Sequence, residues 1–430
     1  MAGFIALEAE ALLGDRPVRR YRLASGLGVI LFADPSAPIV SYQTWFGVGS
    51  RHEQPGKTGI AHLFEHLLFG ATETFAAGQL DRLIEESGGD TNAATWVDWT
   101  FYRCSVPATK LELCARIEAD RMVRLILDED ALSREREVVI HERMQRVDDD
   151  IDGFLDENLC HLAHGAHPYG HPTIGWMDDI RAIALSDLRA FYRRYYAPNN
   201  ATVVIAGDID PARALDLVAL LYADIPPSRI PGEDPAPASE PPDPPQLTFA
   251  RPIQAPRMAA GYLGVGQDHP DWPVLEVIAA ILCGSPSSRL YRDAVVDREL
   301  CSGIMSGIAP FRDPALFRVD ANLRRGVNVQ SVLDVIDEHA ERLARAPVDA
   351  AELDKVKSVL ETNFWLELSS LDGKAEALGH FETTLGDFQR LWTVAERIGA
   401  VTSDDVMRAA GRYLVPANRR AAIAVPEAAS

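Results

Sequence analysis

Cysteine is scarce, and no two cysteines stand at a metal-binding or redox spacing. Cys104, Cys114, Cys160, Cys283 and Cys301 are scattered, odd in number and never in C-x-x-C. That argues for reduced thiols and excludes a disulfide framework and a cysteine zinc site. Long apolar runs are missing too, so no membrane span is expected. Basic charge is short: 42 Lys and Arg against 63 Asp and Glu leave a net charge of −21. A nucleic-acid partner, which needs a basic surface, is therefore not expected, whereas solubility and attraction of cationic substrates are favoured. The one apolar stretch near the N-terminus contains Glu8 and Glu10 and follows no basic region, so it does not read as a signal peptide. A cytoplasmic location is the expectation, with a periplasmic one left open. Gly47-Val48-Gly49 lacks the third glycine of a dinucleotide fingerprint. What is present is 47% hydrophobic residues in 430, enough for sizeable cores and two to three domains.

The most informative stretch is Gly59 to Gly70, GIAHLFEHLLFG. His62, Glu65 and His66 form H-x-x-E-H, and on a helix these spacings share one face. Two imidazoles one turn apart suit a single metal ion, and Glu65 beside them suits proton transfer from a metal-activated water. The alternative is a pair of packed core histidines. The apolar flanks weigh against it, because a buried Glu between two His is costly without a cation. The order is inverted relative to the common H-E-x-x-H helix.

Around this helix the chain alternates strands and helices. Arg20–Asp34 reads as two strands about a turn at Ser25-Gly26, and Ile39–Val48 as another strand. Ala77–Ser87 is a helix stopped by Gly88-Gly89. Asp90–Val106 is a strand or tight strand pair, rich in Thr, Trp, Val, Phe and Tyr. Its Asn92 and Asp98 read from spacing alone as turn and edge polarity. Lys110–Ile126 and Asp130–Val147 are amphipathic helices. On the second, Glu135 and Glu142 lie seven apart on one face, and either would supply a carboxylate to a metal held by His62 and His66. Spacing alone equally fits, and indeed favours, a solvated face paired with Arg134, Arg136, Arg143 and Arg146. His164, His167 and His171 read as a Gly- and Pro-containing loop with no fixed geometry, so no second metal site is expected. Asp148–Asp150 with Asp152 reads as a solvated acidic loop. Ser186–Tyr196 is helical, and Ala201–Ala206 is an apolar strand.

Proline makes up nearly half of Pro226–Pro245, which marks a semi-stiff linker. It divides the chain into 1–225, the linker 226–245, and 246–430. The two halves rhyme: YQTWFGVGSRHE (Tyr42–Glu53) is echoed by AGYLGVGQDHP (Ala260–Pro270). In the second half an ordinary apolar helix, Val274–Leu282, stands where the first has H-x-x-E-H. A duplicated α+β domain with metal chemistry in one copy follows.

With GIAHLFEHLLF, SREREVVIHERM, GGDTNAATWVDWTFY, HPYGHPTIGW, YYAPNNATVVIAGDID and SSRLYR, spanning nearly all the chain, the sequence resembles the M16 metallopeptidases. These are the pitrilysin, insulinase and mitochondrial processing peptidase group; the likeness is above all to their short two-domain branch. The inverted motif with a Glu 76 residues beyond its second His is diagnostic of that family and selects Glu142. The resemblance implies one Zn2+ per chain, with His62, His66 and Glu142 as ligands, Glu65 as general base and Glu135 in support. It also implies two homologous domains, each an antiparallel sheet packed by helices on one face, enclosing a chamber. Substrate peptide would add as an edge strand at Asn92 and Ala93.

One departure stands out. Family members usually carry an Arg and a Tyr seven apart in the C-terminal half, for substrate and oxyanion; those places hold Val295 and Ser302. Arg298 is nearby but falls on a different face. The expected function is therefore a zinc-dependent endopeptidase of unstructured peptides or oligopeptides, the zinc subunit of a heterodimer whose homologous partner supplies the Arg/Tyr pair. The alternatives are a self-sufficient homodimeric peptidase, a non-catalytic assembly subunit, whose mark would be a degenerate zinc motif, and a zinc hydrolase of non-peptide substrates.

Overall fold

A computed structural model describes residues 5–232 and 245–427. By internal contacts the chain forms two compact units, each assembled from separated segments. The first comprises Met1–His141, Pro172–Pro235 and Leu366–Leu391; the second comprises Glu142–His171, Ala236–Trp365 and Trp392–Ser430. This division does not follow the linear one drawn at the proline-rich stretch: one helical segment of each half belongs to the other half's unit. Of that stretch, 226–232 is irregular, and 233–244 lies outside the described residues.

The first unit holds a seven-stranded sheet: β1 (Ile5–Leu13), β2 (Arg16–Leu23), β3 (Gly28–Ala33), β4 (Ile39–Phe46), β5 (Asp90–Thr95), β6 (Thr100–Pro107) and β7 (Ala201–Gly207). Their order is β1-β2-β3-β7-β4-β6-β5. The second unit holds β8 (Gln246–Arg251), β9 (Arg257–Leu263), β10 (Cys301–Ile308), β11 (Leu316–Leu323) and β12 (Arg419–Pro426), in the order β10-β11-β9-β12-β8. The strand expectations hold, and β5 and β6 are the two members of a hairpin. β1 is an additional strand at the very edge.

Both sheets are antiparallel except for one pair each, β3 with β7 and β8 with β12. Laid side by side, β3-β7-β4-β6-β5 and β8-β12-β9-β11-β10 have the same pairing senses throughout, so the duplication read from the G-V-G echoes is a duplication of topology. The main helical layer covers one face of each sheet. In the first unit its apolar side chains join Val29, Leu31, Tyr42, Tyr102, Cys104, Val203 and Ile205 in one core. The inward set on β6 alternates strictly (Thr100, Tyr102, Cys104, Val106), as a strand with one face on a core should.

The opposite face of each sheet receives one further helix, which the single-face expectation did not include. On the first sheet it is Leu371–Leu385, lying against β4 and β7. Asp372 anchors it, accepting from Ser105 Oγ at 2.7 Å and from Arg103 at 3.3 Å. The contact is so close that a Cβ on Gly379 would stand 2.1 Å from Trp45 Nε1. On the second sheet it is Ile151–His164, where Leu155, Leu159 and Ala163 pack on Ala259, Leu316, Ala422 and Ala424. This helix corrects two loop expectations. His164 lies on its last turn, and Asp150 and Asp152 of the acidic run are at its start, with Asp150 capping the Gly153 N–H at 2.8 Å. All five cysteines are free thiols. Among the described residues no helix is long and apolar enough to cross a membrane.

Candidate metal centre

The H-x-x-E-H residues occupy a short helix, Ile60–Leu67, whose Ile60, Ala61, Leu63, Phe64 and Leu67 are buried in the first core. Phe64 stacks on Tyr196, Phe191 and Tyr192 at 5.0, 5.6 and 5.9 Å between ring centroids. The Tyr102 hydroxyl donates to the Phe64 carbonyl at 3.2 Å. With its apolar sides fixed in this way, the helix turns His62, Glu65 and His66 away from the core. The two imidazoles lie 4.9 Å apart between centroids, inclined at 75°. His62 is buried, while Glu65 and His66 are partly exposed.

The third candidate ligand, a carboxylate, comes from the helix Glu129–Arg143, whose Leu132, Val139 and Ile140 are seated in the same core. The boundary between units falls within its last turn, so a helix rooted in the first unit carries Glu142. One ligand atom from each of His62, His66 and Glu142 lies within 4.8 Å of the others, the grouping of metal-ligating side chains found among the described residues. Tetrahedral zinc holds its ligand atoms roughly 3.4 Å apart, so side-chain movements of about an ångström close the set. Two nitrogens and one oxygen are a donor set suited to zinc, and three protein ligands leave a fourth position for water or substrate. The residues present therefore fit the ion. Glu142 also meets Arg146 at 3.1 Å, but that arginine is 75% exposed, and such a pair opens at little cost.

Glu135 is not in this grouping. It is 3.0 Å from Arg134 at the partly exposed side of the same helix. Asn92 and Ala93 lie on β5, the edge strand next to the metal helix. Asn92 is exposed, and its own Oδ1 accepts from the Ala93 N–H at 2.9 Å. Asp98 departs from the turn-polarity reading. It is buried and pairs with Arg51 at 3.0 Å. In the second unit Val295 is half-buried, and the exposed Ser302 donates to the Asn322 carbonyl at 3.2 Å. Arg298 is engaged by Asp293 at 2.8 Å and by Glu338 at 2.7 Å.

Two supports escaped the sequence reading. Arg143, one residue beyond Glu142, is buried and makes a two-pronged bond to Glu157 at 2.6 and 3.1 Å. Five residues of π-helix, Met144–Asp148, follow and set that partner's direction, so no i,i+4 rule finds it. Glu53 is the other: its carboxylate accepts from the N–H groups of Gly59 and Ala61, both at 2.8 Å. Its spacing from the helix matches no capping box. Burial pushes the Tyr102 and Tyr196 hydroxyls up, and the nearby Glu65 carboxylate adds to both. They stay protonated at any working pH.

Fold and site together define a duplicated α+β protein with two histidines and one glutamate grouped beside a sheet edge as candidate metal ligands. Residues 28–175 match the family model described as Insulinase (Peptidase family M16), and residues 182–360 match the one described as Peptidase M16 inactive domain. An uncharacterized zinc protease of Mycobacterium leprae is 30% identical over 420 residues, covering 95% of this chain and 91% of that one. The mitochondrial-processing peptidase subunit beta of Blastocladiella emersonii is 26% identical over 414 residues, covering 94% and 88%. Among solved structures, a protease from Helicobacter pylori superposes with a TM-score of 0.87 at 27% identity, over 95% of this chain and 99% of that one. The chain belongs to the M16 peptidase family, and relatives named zinc proteases support a peptidase function for it.

Proposed function

We propose that this chain is a zinc-dependent endopeptidase of unstructured peptides, acting as the zinc subunit of a heterodimer. The observation that carries the reading is the convergence of His62, His66 and Glu142 within 4.8 Å, with Glu65 on the same helix face. In this reading the two imidazoles and Glu142 hold one Zn2+, with Glu135 supporting the centre from outside the ligand set. When bound, zinc supplies Lewis acidity and lowers the pKa of a water towards about 7. Glu65 takes the proton from the water that adds to the scissile carbonyl, then gives it to the departing amine as the C–N bond breaks. The free edge of β5, at Asn92 and Ala93, receives the substrate as an added strand, reading backbone more than side chain.

The heterodimer rests on what the second unit offers. Neither Val295 nor Ser302 supplies a cation or a phenol, and Arg298 is held by two carboxylates. One relative is, by its name, a subunit. A homologous partner with the Arg and Tyr supplies what is missing. The free thiols support the cytoplasmic placement.

The test is digestion of a mixed unstructured-peptide pool read by mass spectrometry, with and without chelator. It is run on the chain alone and on the chain with the homologous partner captured from its own cell extract. Cleavage by the pair only, abolished by chelator and restored by zinc, is expected. Equal rates for the chain alone would sink the heterodimer, and chelator-insensitive cleavage would sink the zinc mechanism.

A further inference from the structure

The loop Gly49–Glu53 joins the edge hairpin to the metal helix by bonds at both of its ends. At one end, Ser50 and Arg51 donate backbone N–H groups to the carbonyls of Trp96 and Val97 at 3.1 and 3.0 Å, in the turn that connects β5 to β6. The Arg51 guanidinium adds a buried pair to Asp98 in that turn, with side chains only 8% and 4% exposed. At the other end, the two oxygens of Glu53 take the N–H groups of Gly59 and Ala61. A helix leaves its first N–H groups without intrahelical partners, and a carboxylate there is favoured by both hydrogen bonding and the helix dipole. Gly59 has φ +90°, and a Cβ there would stand 2.5 Å from the Ile174 carbonyl, so the entry is tight and its path fixed. His62 follows Ala61 directly.

We propose that Glu53 is a positioning residue for the metal centre, holding the first turn of helix Ile60–Leu67 so that His62 and His66 present their nitrogens together, with Arg51–Asp98 locking its loop to the β5–β6 turn. The inference rests on the zinc reading above and deepens it, because the strand that receives substrate and the helix that holds metal then share one rigid connection. Loss of the clamp frees two N–H groups at the start of an eight-residue helix whose third to seventh positions span the two imidazoles and Glu65. Loss of the Arg51–Asp98 pair frees the loop at its other end while the clamp itself stays intact.

The experiment is a zinc affinity measurement on the full chain, by competition with a chromophoric chelator, for wild type, Glu53→Ala, Glu53→Gln and Asp98→Asn. Visible spectra of the cobalt-substituted forms and thermal melts of the metal-free forms accompany it. Glu53→Ala is expected to raise the zinc Kd about 10–100-fold, as outer partners of metal ligands do, and to alter the cobalt spectrum. Glu53→Gln keeps one accepting oxygen and should recover part of that loss, and Asp98→Asn should fall between wild type and Glu53→Ala. Variants that melt lower when metal-free yet bind zinc as wild type does would overturn the inference, leaving Glu53 a structural cap only. Failure of the wild type itself to bind zinc would instead overturn the metal reading.

Discussion

Glu135 and Glu142 lie on one helix face and look alike in sequence, yet their surroundings differ. Glu142 reaches the histidine pair, and Glu135 turns to Arg134. We expect Glu142→Ala and His66→Ala to lose zinc, measured by atomic absorption. Glu135→Gln should keep it, and the two assignments would exchange if Glu135→Gln emptied the site and Glu142→Ala did not. Glu65→Gln should retain zinc and lower kcat by about 10²–10⁴-fold, the usual contribution of a placed general base. An active Glu65→Gln enzyme would remove Glu65 from that role. The Arg143–Glu157 pair gives a further prediction. Removing one member of a buried, two-pronged pair strands the other charge and costs about 3–5 kcal/mol. Arg143→Leu should therefore melt much lower than wild type, and Arg143→Leu with Glu157→Leu should regain most of the loss.

At the scale of elements, the hairpin β5–β6 and the helix Leu371–Leu385 carry the testable features. The Ala93 N–H is met by the neighbouring Asn92 side chain, and an edge strand tolerates proline where its N–H faces outward. Ala93→Pro should bind zinc normally and raise KM about fivefold, the worth of one backbone hydrogen bond of about 1 kcal/mol. An unchanged KM would place the substrate elsewhere. Gly379 lies where the helix Leu371–Leu385 approaches the sheet closely. Trp45, held through Nε1 to Gln43 Oε1 at 2.9 Å, has to yield to any added methyl. Gly379→Ala should lower stability by about 1–3 kcal/mol, the range for overpacking, visible as a lower melting temperature.

For the molecule as a whole, acid sensitivity follows from two histidines, His164 buried and His380 half-buried, on the two helices that cross to the other half's sheet. Burial, with His167 close by, lowers His164 to about 4, and burial lowers His380 to about 4. Each ring is neutral when folded and ionises near 6.5 when unfolded, so the unfolded chain takes up protons first as pH falls. Stability is full above about 6.5 and is lost progressively down to about 4, by an amount on the order of 3 kcal/mol for a group shifted this far. Denaturation midpoints of the metal-free protein should fall across that window. His164→Leu should flatten the slope, and an unchanged slope would show that His164 takes up its proton equally in both states.

The sequence by itself determined the local facts: the helix bearing His62, Glu65 and His66, the strand–helix alternation, the edge hairpin and the echo between halves. Each of these rests on a period of two or 3.6 residues or on turn chemistry, which neighbouring residues set among themselves. Glu142 needed more than spacing, because a seven-residue interval on a charged helix fits a solvated face as well as a metal ligand. The family resemblance singled out Glu142, and the tertiary structure brings it to His62 and His66; only the tertiary structure decided that Asp98 is a buried partner of Arg51. It also decided that Glu53 caps the first turn of Ile60–Leu67 and that Glu157 pairs with Arg143, and that Ile151–His164 and Leu371–Leu385 each leave their own half's sheet. These depend on pairings between residues far apart in the chain, fixed by which apolar faces bury each other, and no local pattern encodes them.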